Sequence, residues 1–170
     1  MLIKITAQAL SIFAMLTAAL AFQCKSNKKF CIWQAVSSSA FAASFIILGA
    51  YTGALSNIVN IFRGTLFGLA PRKYRKAYLV FLELAYIGVA FFTYDGISSL
   101  IILAAQVVGT ASIFFDRGKV IRIIQFFWIS PIWLAYSIYF FSLGGILCEV
   151  FTLVSIIISV IRYGFDGFEK

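Results

Sequence analysis

Of the 170 residues, 62% are hydrophobic and 12% are charged, with 14 basic against 6 acidic side chains and a mean hydropathy of +1.00. That composition excludes a soluble globular domain, whose apolar share is roughly 45–50%; with only two prolines and three cysteines it also excludes a disordered chain and a disulfide scaffold. One bilayer crossing takes roughly 20 apolar residues, so the length holds about seven crossings with short connections and no soluble catalytic domain.

Charge comes in bursts that divide the chain into four apolar blocks. The first, Met1–Gln23, carries only Lys4 and predicts a span over 2–22, ended by Cys24-Lys25-Ser26-Asn27-Lys28-Lys29. Lys4, the apolar run and Ala18-Ala19-Leu20-Ala21 resemble a secretory signal. The heavier positive charge follows the segment, however, and its removal would leave six spans, so it is read as retained. The second block, Phe30–Ala70, is about twice a crossing length and holds only Arg63. Gly49-Ala50-Tyr51-Thr52-Gly53 predicts a tight reversal inside it, between spans 30–48 and 51–70. After Pro71-Arg72-Lys73-Tyr74-Arg75-Lys76, the block Ala77–Phe115 turns at Tyr94-Asp95-Gly96, giving spans 77–93 and 97–115. The last block, Ile121–Tyr163, turns at Ser142-Leu143-Gly144-Gly145, giving spans 121–141 and 145–163. Continuous apolar blocks, not alternating strands, exclude a β-barrel. The expected fold is all-α: a polytopic transmembrane bundle of seven helices.

Lys25, Lys28, Lys29, Arg72, Lys73, Arg75, Lys76, Arg117, Lys119, Arg122, Arg162 and Lys170 collect at one set of span ends, and Lys4 alone at the other. The positive-inside bias then puts the N-terminus outside and the C-terminus in the cytoplasm. The same short basic loops account for the net charge of +8 through lipid headgroups, without nucleic acid. There is no histidine, no paired cysteine spacing and no glycine-rich phosphate loop. No metal, no cofactor and no catalytic residue is therefore expected, and the chain is not read as an enzyme.

Seven spans group as three, one and three: a first repeat over 1–70, a linker helix over 77–93 and a second repeat over 97–163. Two parallel triplets need that single helix to keep the same orientation. A constant offset pairs Lys28 with Lys119, Ile32 with Ile123, Gln34 with Gln125 and Gly53 with Gly144. At 100° per residue, the third span gathers Gly53, Ser56, Asn57, Asn60, Arg63 and Gly64 on one face. The seventh does the same with Gly145, Cys148, Glu149, Thr152, Ser155, Ser159 and Arg162. Helix packing explains such stripes through small residues and interhelical hydrogen bonds; a polar pathway between the halves explains them equally. On the second reading Asn57, Asn60, Glu149 and Thr152 are candidate substrate-binding residues. On the first, Arg63, Arg162 and Glu149 form a structural ion-pair set. The two stripes are expected to face each other. Glu83, on the lone fourth span, reads as structural, and Gln8, Gln34, Gln106 and Gln125 as interhelical hydrogen-bonders.

Gly49-Ala50-Tyr51-Thr52-Gly53-Ala54, Asn60-Ile61-Phe62-Arg63, Trp133-Leu134-Ala135-Tyr136 and Gly144-Gly145 with Glu149 and Arg162 resemble the YgjV-type bacterial inner-membrane proteins over nearly the whole chain. That resemblance implies a multi-pass protein of the bacterial inner membrane and supplies no activity. The three-one-three grouping is also similar to the SWEET and PQ-loop transporters, whose parallel three-helix repeats hold substrate near their interface. It implies alternating access with a small polar solute as partner. Asn57 or Asn60 would take the place of their third-span asparagine and Glu149 that of the seventh-span one. A non-transporting scaffold or accessory subunit, with the lipid bilayer as its partner, is the alternative.

Overall fold

The computed structural model describes residues 2–23, 27–94, 96–115 and 118–163. Seven helices account for nearly all of them, and no strand occurs among the described residues. They are α1 (Leu2–Gln23), α2 (Asn27–Ile47), α3 (Tyr51–Leu69), α4 (Arg75–Phe92), α5 (Ile97–Phe115), α6 (118–139) and α7 (Leu143–Tyr163). A short 3-10 turn, Arg72–Tyr74, leads into α4. Each helix lies within a few residues of a segment read from charge and glycine alone.

α6 is a continuous helix in three stretches: Gly118–Ile124, a π-helical Gln125–Ile129, and Ser130–Tyr139. The cause is Pro131, which has no N–H to donate and whose ring crowds the carbonyl four residues back. Widening one turn relieves the clash, and the Ser130 N–H reaches back to the Gln125 carbonyl.

The bundle packs many small polar residues beside an apolar core, and its outside is apolar. Ser11, Thr17, Ser37, Ser44, Ser56, Ser99, Thr110 and Ser112 are buried, whereas Phe91, Phe92, Phe127, Phe141 and Ile161 are at least 70% exposed. Water would reverse that order; lipid imposes it, because small residues let helices approach and large ones meet the acyl chains. Three described helices are long and apolar enough to cross a membrane: Ile3–Leu20, Ile97–Phe115 and Lys119–Tyr139. Ile32–Ile47 and Leu143–Ile158 are shorter apolar stretches. In α3 and α4 the apolar run is interrupted by Asn57, Asn60 and Arg63, and by Arg75, Lys76 and Glu83.

Neighbours in sequence pack on one another in turn, and α1 then meets α7, closing a ring. α4 lies against both α3 and α5, which also touch each other. Ser37 Oγ donates to the Ala14 carbonyl and Ser44 Oγ to the Ala7 carbonyl, both at 2.8 Å, which fixes the antiparallel register of α1 on α2. Across the ring α2 meets α6 through aromatic rings: the Phe45 centroid lies 6.0 Å from Trp133 and 5.8 Å from Tyr136. With Ala50, Ala54 and Ile102 these form one core cluster; Val59, Leu82 and Tyr86 form a second.

Candidate functional site

Helix ends in a membrane need partners for their first N–H groups, because lipid offers none. Neither cap is complete in its own sequence. α3 begins after Ala50, whose side chain cannot accept, and the Gly53 N–H is taken instead by Tyr136 Oη of α6 at 2.9 Å. At α7, Leu143 N–H donates to Gln8 Oε1 at 2.8 Å and Gly144 N–H to Ser11 Oγ at 3.1 Å, both acceptors on α1. Ser142 Oγ accepts from the Gly145 N–H at 3.3 Å.

The first of these long-range caps forms the wall of a cavity. The α2–α3 reversal, the α4–α5 turn and the end of α6 converge around a space of about 380 Å³. Its walls include Tyr51, Phe92, Tyr94, Tyr136 and Phe140, and its hydroxyls come from Thr52, Thr93, Ser98 and Ser99. Thr52 Oγ1 donates to the Thr93 carbonyl and lies 2.9 Å from Ser99 Oγ, while Ser99 Oγ reaches the same carbonyl at 3.2 Å. No charged side chain lines the cavity among the described residues. Rings, hydroxyls and backbone edges suit a small uncharged molecule with hydrogen-bonding groups.

Beneath the cavity the polar face of α3 continues as a column. Asn57, 7% exposed, donates through Nδ2 to the Gly53 carbonyl at 2.9 Å. One turn further, Asn60 Oδ1 accepts from Tyr86 Oη at 2.8 Å, and Tyr86 also pairs with Thr110. Arg63 Nη1 donates to Gln106 Oε1 at 3.2 Å, with Glu83 on α4 the nearby negative group. Gln106 is buried and its Nε2 has no protein partner.

The two stripes are therefore not brought together. That of α3 faces α4, α5 and α6, and Arg63 finds Gln106 in place of Glu149. That of α7 faces α6: Gln125 Nε2 donates to Ser130 Oγ at 2.9 Å, and Ser130 lies beside Glu149. Thr152 Oγ1 is turned back on its own helix, donating to the Cys148 carbonyl at 2.9 Å. The side chains of Ser159 and Arg162 lie outside the described residues. Neighbours differ from the expectation because periodicity fixes which face of a helix is polar, not which helix that face meets. The cavity residues Thr93, Ser98 and Ser99 flank Tyr94-Asp95-Gly96, which reads as a turn and nothing more; the hydroxyls on both sides of it were the available signal.

An all-helical bundle with large apolar side chains on its outside and small polar ones packed within defines an integral membrane protein. No curated protein and no solved structure matches the chain significantly. A family model does, over residues 5–166: the chain belongs to the Imp-YgjV family of bacterial inner membrane proteins.

Proposed function

We propose that the chain crosses the inner membrane seven times, N-terminus outside, and carries a small uncharged polar solute by alternating access. The cavity carries this reading, since it combines hydroxyls and aromatic walls in a space of solute size, and Asn57 and Asn60 follow it along α3. The contact pattern supports two parallel triplets with α4 as the linker. α3 touches α5 as α7 touches α1, which is the relation a twofold axis along the membrane normal would give. Rocking of one triplet against the other would then open the column to the cytoplasm. No catalysis is assigned.

A scaffold role has its own supporting observation: Thr52, Ser99, Thr93 and Arg63 already satisfy one another or neighbouring groups. The two are separated by screening small neutral hydroxylated and amide solutes for a raised melting temperature of the purified protein. A solute present at about 100 times its Kd stabilises by roughly 2.7 kcal/mol. A carrier yields at least one such solute, lost when Ser99→Leu fills the cavity and taken up by proteoliposomes. If no solute shifts the transition, the scaffold reading stands.

A further inference from the structure

Ionisable groups inside a membrane protein pair with one another or mark an ion pathway. Arg63 and Glu83 are each other's counter-charges within the α3–α4–α5 network. Glu149 has no such partner. Its Oε2, like that of Glu83, is sealed from the surface without a hydrogen bond, and the side chain beside it is the uncharged Ser130. Ser130 is wholly buried at the junction where the π-helical stretch of α6 ends, and its oxygen also accepts from Gln125. The helices packed on α7 are α1 and α6. Their charged and titratable groups are Lys4 on α1, and Lys119, Arg122, Tyr136 and Tyr139 on α6; α7 adds Cys148 beside Glu149. Lys4 stands four residues before Gln8, which holds the start of α7, while Glu149 is six residues along α7 from Leu143. Arg122 precedes Ser130 by eight residues, about 12 Å of helix. No described cation forms an ion pair with Glu149.

A carboxylate presents about four acceptor positions, and here the sealed Oε2 has no hydrogen-bond partner in the protein. Such a group is costly as an anion. A metal ion would need several ligands, and no group of three His, Cys, Asp or Glu side chains that could hold one occurs among the described residues. A proton needs no such group. The site lies on the face of α7 turned to α6, within the second triplet.

We propose that Glu149, positioned by Ser130 and the π-helical stretch of α6, is an exchangeable proton-binding site that couples solute movement to the proton gradient. Binding adds one proton to the carboxyl and release returns it to water on the opposite face, while Ser130 keeps its own hydrogen. The coupling rests on the carrier reading; the proton site does not, and its test uses protons alone. Purified protein in nanodiscs is titrated while the carboxylic-acid carbonyl stretch is followed by difference infrared spectroscopy. Expected is one band that disappears in Glu149→Gln, persists in Glu83→Gln, and shifts its titration midpoint in Ser130→Ala. If Glu149→Gln folds and loses no titrating band, the site is overturned whether or not any solute is found. If Glu149→Gln does not fold, Ser130→Ala decides, and an unshifted midpoint overturns the site. A titrating band with no proton-driven uptake of a solute already shown to bind overturns the coupling and leaves the carrier reading in place.

Discussion

Two glycines hold the bundle together by what they lack. A Cβ on Gly144 would stand 2.1 Å from the Ser11 backbone, and one on Gly53 would stand 2.6 Å from the Tyr136 ring. Backbone cannot yield, so Gly144→Ala forces α7 off α1 and should destabilise by about 1–3 kcal/mol or more. Gly53→Ala displaces the Tyr136 ring, whose hydroxyl also accepts from the Gly53 N–H, with a cost in the same range. Gly64 and Gly88 meet nothing within 4 Å. Alanine there should be neutral or stabilising by up to about 1 kcal/mol. Thermal unfolding in detergent checks all four, and equal losses across the set would contradict the close approaches. Tyr136→Phe isolates the long-range cap: it keeps the ring and orphans the Gly53 N–H, with an expected loss of about 1–3 kcal/mol. None of this is legible in sequence, because residue 53 and residue 136 meet only once the ring of helices has closed. What is legible is that glycine recurs at both reversals.

At the scale of helices, α1 and α2 are joined by two serines spaced two turns apart, each donating to a carbonyl two turns apart on the other helix. Interhelical hydrogen bonds of this kind contribute about 0.6 kcal/mol on average and up to about 1.7. The Ser37→Ala, Ser44→Ala double variant should therefore lower stability by roughly 1–3 kcal/mol, whereas Ser39→Ala should leave it nearly unchanged. Ser39 is exposed and bonds only its own helix, at Ala35. Helix positions were readable because charge bursts and glycine turns delimit apolar blocks: the expected segment 97–115 is Ile97–Phe115, and 51–70 is Tyr51–Leu69. The π-helical stretch was not, although Pro131 was its signal, because a proline inside an apolar run permits a kink, a break or a widened turn, and packing selects among them. Likewise the polar faces of α3 and α7 were readable from period alone. Their partners, Gln106 and Ser130, follow from the order of helices around the ring.

For the whole molecule, two features bear on one orientation. The α2–α3, α4–α5 and α6–α7 reversals gather at the cavity end, and lysines and arginines cluster at the other. Positive charge favours the cytoplasm, so the cavity should open outward. Its rim and the basic loop between α3 and α4 then lie on opposite faces of the membrane. Tyr94, exposed at the rim, and Lys73, exposed in that loop, report the two faces directly. Single cysteines at these positions, in a background without Cys24, Cys31 and Cys148, can be treated with a membrane-impermeant maleimide. Tyr94→Cys should label in spheroplasts and Lys73→Cys only in inverted vesicles. Labelling of both from the same side, or of Lys73→Cys alone in spheroplasts, would contradict an outward-opening cavity in a seven-span bundle.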